Sequence, residues 1–165
     1  MKIKLSNYNT KWSKYFLLLK TQLEQKISDK EVQIEHIGST AVKNLKAKPI
    51  IDILIGISNK NLNKYISDIV ELGFIYIKKY EDESPNRRFF YKKDKTAHIH
   101  LVNKSSLWFK RHIAFRDELK NNIATKKEYE KLKENLSKKE WKDGNEYADA
   151  KTNFIRRIEK KIAVN

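Results

Sequence analysis

Cysteine is missing from all 165 residues. Disulfides and thiolate metal sites are therefore excluded, and the composition suits a reducing compartment, so a cytoplasmic location is expected. Long apolar runs are missing too. No stretch approaches the ~20 apolar residues of a membrane-spanning helix, and MKIKLSNYNTKW lacks the apolar core of a signal peptide or anchor. No membrane partner is expected. There are no repeats and no low-complexity linker, only a polar join near 138–145. Arginine is scarce, with six residues (87, 88, 111, 116, 156, 157) against 30 lysines. Base readout leans on arginine forks. The net charge of +15 therefore reads first as a solvated basic surface, with RNA or DNA association as a weaker alternative.

What is present is enough to build a core. The chain is 39% hydrophobic, with three Trp, eight Tyr and seven Phe, and its length suits one domain over 1–165. Trp12, Phe16, Leu19, Leu23 and Ile27 follow helical spacing and predict a helix over about 10–28. VQIEHI (32–37) reads as a strand broken by Gly38-Ser39, with Ser39 the expected N-cap of TAVKNL. IIDILIGI (50–57), after Pro49, reads as a central strand. Leu62, Ile66, Ile69 and Leu72 mark a second helix capped by Gly73. FIYIKKY, RRFFYKK and HIHLV are further strands, separated by turns at EDESPN and Asp94-Lys95. Beyond residue 105 the pattern is helical. SLWFKRHIAFRDELKN carries an apolar stripe, Thr125 and Glu128 form an expected capping box, and a final helix carries Tyr147, Phe154, Ile155, Ile158 and Ile162. The predicted class is α+β, a mixed β-sheet flanked by helices (core about 10–104) with a C-terminal helical segment (105–165).

Three features carry chemistry. Gly38-Ser39, where a strand turns into a helix, offers N–H groups and a hydroxyl to a phosphate. Asp52 stands among Ile50, Ile51, Ile53 and Leu54, where an uncompensated charge costs several kcal/mol, so it must be paired, metal-bound or protonated. Alternation puts it on one strand face with Leu54 and Gly56, and Gly56 is expected to leave room for a ligand. His98 and His100 share a strand face and suit a metal or a phosphate. Glu35 could join Asp52 and the two histidines, whereas His36 faces away. One of Arg87 and Arg88 is expected to reach a phosphate. Alone, each feature also has an ordinary structural reading: a turn, a capped carboxylate, solvated strand ends.

EHIGSTAV, AKPIIDI, RRFF, HIHL, FRDEL, EYEKLK and Tyr147…Lys151…Phe154-Ile155 together resemble the GrpB family over about 30–158. A Pro-Gly usual after the GSTAV-like block is Lys43-Asn44 here. The family is assigned to the nucleotidyltransferase superfamily, so the resemblance implies a nucleotidyltransferase-like fold. It also implies metal-dependent transfer of a nucleoside monophosphate from an NTP to an acceptor. Gly38 and Ser39 would seat phosphates, Lys48 with Arg87 or Arg88 would offset their charge, and Asp52 with Ser39 would act at the reacting centre. Asp52, Glu35, His98 and His100 would hold a divalent metal, Mg²⁺ or Mn²⁺, with Zn²⁺ suited to the histidines. The chain departs from the superfamily pattern at Leu54, where a second acid is usual, and at His98 or His100, where a third is. A non-catalytic protein binding a nucleotide or another phosphorylated small molecule is the alternative.

Overall fold

The computed structural model describes residues 1–164. Its organisation follows from the alternation in IIDILIGI. In strand β2 (Ile51–Ile57) the four isoleucines at odd positions are buried on one face, while Asp52, Leu54 and Gly56 turn to the other. Strand β5 (Ala97–Asn103) runs parallel to β2, with Asp52 opposite His98 and Leu54 opposite His100. Strands β1 (Gln33–Ile37), β4 (Arg87–Lys92) and β3 (Phe74–Tyr76) complete a five-stranded sheet of order β1-β2-β5-β4-β3, antiparallel at every other pairing. The mixed α+β class expected from the sequence is the architecture observed.

One sheet face is apolar and is closed by helix α1 (Lys11–Lys26), which buries Trp12, Phe16, Leu19 and Leu23, and by α2 (Ile66–Glu71). Each such side chain contributes roughly 1.5–3 kcal/mol on burial. Gly73 ends α2 at φ +84°, a left-handed conformation that favours glycine. The other face is polar toward the β4 edge and carries α4 (Leu107–Asn121), α5 (Ile123–Ser137), α6 (Gly144–Asp149) and α7 (Thr152–Lys161). The N-terminal segment reaches these helices. The Met1 amino group donates to the Trp141 carbonyl at 2.6 Å, Trp141 N–H donates back to the Met1 carbonyl, and Ile3 packs with Leu136 and Tyr147.

Several sequence expectations are corrected. FIYIKKY forms a strand only over its first three residues, and the expected EDESPN turn begins within a short helix, α3 (Tyr80–Glu83). Thr125 does not cap α5. Asn122 does, accepting from Thr125 N–H at 3.1 Å, while the Thr125 hydroxyl donates to Glu118. The single final helix is two, with Asp143 capping α6 through Asn145 and Glu146 N–H. No helix among the described residues is long and apolar enough to cross a membrane.

Candidate functional site

Gly38 and Asp52 are built as one unit. Gly38 has φ +71° and precedes a single 3-10 turn, Ser39–Ala41. A Cβ added there would collide with the Asp52 carboxylate, so the glycine supplies both the backbone angle and the space for the acid. Gly38, not Ser39, occupies the cap position, and no side chain caps the turn. The freed Ser39 lies beside the Tyr129 phenol, which burial pushes well above its ordinary pKa. Asp52 is compensated by its cross-strand neighbour, with His98 Nδ1 3.3 Å from Asp52 Oδ1. Burial would raise the Asp52 carboxyl, but the His98 hydrogen bond, helped by His100 and Lys48, holds it below the usual carboxylate range.

The four proposed metal ligands do not converge. Glu35 lies on the Asp52 face of the sheet but is claimed by Arg116, whose Nη1 donates to Glu35 Oε2 at 2.6 Å and also to the His36 carbonyl. Burial would raise the Glu35 carboxyl, yet Arg116 keeps it low. His100 Nδ1 lies 3.1 Å from Arg87 Nη1. A guanidinium only donates, so Nδ1 accepts, Nε2 carries the proton, and neither nitrogen offers a lone pair to a metal. Burial correspondingly pushes His100 down to about 3. Leu54 packs with Ile37, Val102 and Phe109. Among the described residues no group of three or more His, Cys, Asp or Glu side chains is arranged to hold a metal ion. Asp52 and His98 alone remain, two donors where a divalent ion takes four or more.

Two further expectations are corrected by side-chain direction. Gly56 does not open space for a ligand, since a Cβ there would sit 2.5 Å from the Phe109 ring, which fills the site. Arg88 turns to the α1/α2 side of the sheet. It is buried there, donates to Asn63 Oδ1 and the Pro85 carbonyl, and pairs with Glu81 at 3.3 Å. Arg87 is the one that faces the site. His36 points away as expected, stacked on Phe16 and bonded to Thr40.

A cavity of about 500 Å³ opens over Asp52, between the polar sheet face and the C-terminal helices. Ser39, Lys48, Asp52, Arg87, His98 and His100 line it, all named from the sequence. Lys133 of α5 and Lys151, at the junction of α6 and α7, also line it and had been given no role. Lys133 is 2% exposed, lies over the Tyr129 ring and donates to the Lys46 carbonyl. Burial, with Lys151 adding to it, lowers its ammonium to about 7 against the pull of Glu130 and Glu134. Lys151 sits 4.2 Å above the Tyr147 ring. Burial and then Lys48 lower it to about 8, opposed by Asp52. Neither lysine, nor Lys48 or Arg87, forms an ion pair with a carboxylate among the described residues. The only sequence signal for the pair was their presence in EYEKLK and in the Tyr147…Lys151 spacing.

Known proteins are similar to nearly the whole length of this chain. The family model described as GrpB protein matches residues 2–161. The glutamate-rich protein GrpB of Alkalihalophilus pseudofirmus is 33% identical over 162 residues, covering 93% of this chain and 92% of that protein. A UPF0157 protein of Halalkalibacterium halodurans is 31% identical over 160 residues, covering 96% and 82%. The crystal structure of the conserved protein GrpB from Enterococcus faecalis superposes with a TM-score of 0.83 at 30% identity, covering 96% of each chain. The chain belongs to the GrpB family.

Proposed function

We propose that the cavity binds the phosphate groups of a nucleotide or another phosphorylated small molecule, and that a nucleoside monophosphate passes there from an NTP to an acceptor. The observation that carries this reading is the convergence of Lys48, Arg87, Lys133 and Lys151 on one cavity that Ser39 and Asp52 also line. Ammonium and guanidinium groups without carboxylate partners are matched by the charge of a phosphate. Ser39, at the mouth of the turn, is placed to donate to a phosphate oxygen. Transfer would bond an acceptor oxygen to the α-phosphorus as the bond to pyrophosphate breaks. Asp52, kept ionised by His98, would take the acceptor's proton. The side chains present do not fit a dedicated divalent-metal site, so no step is assigned to a metal.

The test is a thermal-shift panel of nucleotides and inorganic phosphates, followed by pyrophosphate release with the compounds that bind. Stabilisation by triphosphates and release abolished in folded Asp52→Asn is the expected result. Stabilisation without turnover across acceptors would leave a binding protein, and no stabilisation by any phosphate compound would remove the reading. An RNA or DNA partner would instead show affinity falling steeply with salt.

A further inference from the structure

We propose that in this protein the cavity-lining ammoniums of Lys133 and Lys151, with Lys48, take the place of a divalent cation, so that phosphate binds the cavity without metal. This rests on the phosphate-binding reading above and adds what neutralises the charge. The carboxylates and imidazoles that would assemble an ion are individually engaged. Glu35 is held by Arg116, His100 by Arg87, and the position two residues after Asp52 is an apolar leucine packed under α4. The same cavity instead gains two ammoniums from the C-terminal helices, and these have no carboxylate to answer them. Lys133 uses one proton on the Lys46 carbonyl, which leaves two of its three donors free.

The carboxylates nearest this group do not cancel it. Asp52 is engaged with His98. Glu83 borders the cavity but acts on Arg87, and Asp149 borders it without pairing to a lysine. Glu134 pairs with Lys46, and Glu130 accepts from Lys46 N–H. A buried, uncompensated cation is costly and is retained where a ligand supplies the counter-charge. Burial first, and then the neighbouring lysines, lower the ammonium pKa of Lys133 and Lys151, and an anion in the cavity would raise both.

The experiment is titration calorimetry of the full chain with inorganic pyrophosphate, in excess chelator and again with Mg²⁺ or Mn²⁺. The proposal expects affinity in chelator within about threefold of that with metal. It expects at least about a tenfold loss in Lys151→Met and in Lys133→Met, with the fold of each variant checked by circular dichroism. Asp52→Asn should bind pyrophosphate as tightly or more tightly, because one negative charge leaves the cavity. If Asp52 instead holds a metal, that variant loses binding. Affinity that appears only with metal would overturn the inference and leave phosphate binding intact. Metal-free affinity indifferent to both lysines would overturn it equally. Absence of pyrophosphate and nucleotide binding in every condition would remove the phosphate-binding reading itself.

Discussion

The two walls of the cavity are built on opposite terms. The sheet wall is tightly coupled: Asp52 sits against Gly38 and His98, His100 against Arg87, Glu35 against Arg116. The acids and imidazoles there each have a protein partner, so these parts hold one another in place. The helical wall carries the buried Lys133 and the half-buried Lys151, charges with no carboxylate partner among the described residues. A charge that costs stability and has no counter-charge in the fold is the kind that function retains. On the proposed reading the sheet wall is a scaffold, and the helical wall would meet a ligand's charge.

The largest expected effect of a single substitution breaks the sheet wall. Gly38→Ala must abandon φ +71° or displace Asp52, and a loss of about 1–3 kcal/mol is expected in urea unfolding, together with loss of phosphate binding. Acid should act next and globally. His36, His100 and His112 are held neutral by burial, at about 4, 3 and 4, against 6.5 when free. The unfolded chain binds those protons first. Stability is therefore complete above about pH 6.5 and falls as pH drops toward 4, with a slope of up to about 4 kcal/mol per unit if all three contribute. Urea unfolding midpoints measured between pH 7 and 4, as about the range needed, give that slope directly.

The helical wall should answer in the reverse sense. Lys133→Met replaces a buried ammonium by an apolar chain of similar length. An increase in stability of up to about 1 kcal/mol is expected, alongside weaker pyrophosphate binding; a variant that loses both would show the lysine to be structural. Phosphate affinity should also fall as pH rises through the values of about 7 and 8 for Lys133 and Lys151, because an anion binds the protonated amines. A flat profile across that range would count against their contact with the ligand. The smallest effect separates the adjacent arginines. Arg87→Met should weaken phosphate binding several-fold, whereas Arg88→Met, on the far side of the sheet, should leave it within about twofold.

The same contrast explains what was legible in the sequence. Period-two alternation decides which strand residues share a face, so Asp52, His98, His100, Glu35 and Arg87 could be gathered before the fold was known. Alternation says nothing of who claims each group. That Arg116 takes Glu35, from α4 across 81 positions of sequence, is tertiary information. Gly56 failed for a similar reason, since the absence of a side chain does not tell which neighbour fills the gap, here Phe109. Lys133 and Lys151 were hidden among 30 lysines. Nothing local distinguishes a lysine folded inward from the many that face water, and the docking of α5 to α7 on the sheet makes the difference.

The pairing of Met1 with Trp141, and of Ile3 with Leu136 and Tyr147, has a consequence in time. Residues 1–3 meet partners that lie some 140 positions away along the chain. Such distant closures are slow and come late. The sheet, with Asp52 beside His98, is made from residues 33–103, whereas Lys151 comes from a later part of the chain. Competence to bind an anion should then appear as a last and separate event, making ligand capture a readout of completed folding.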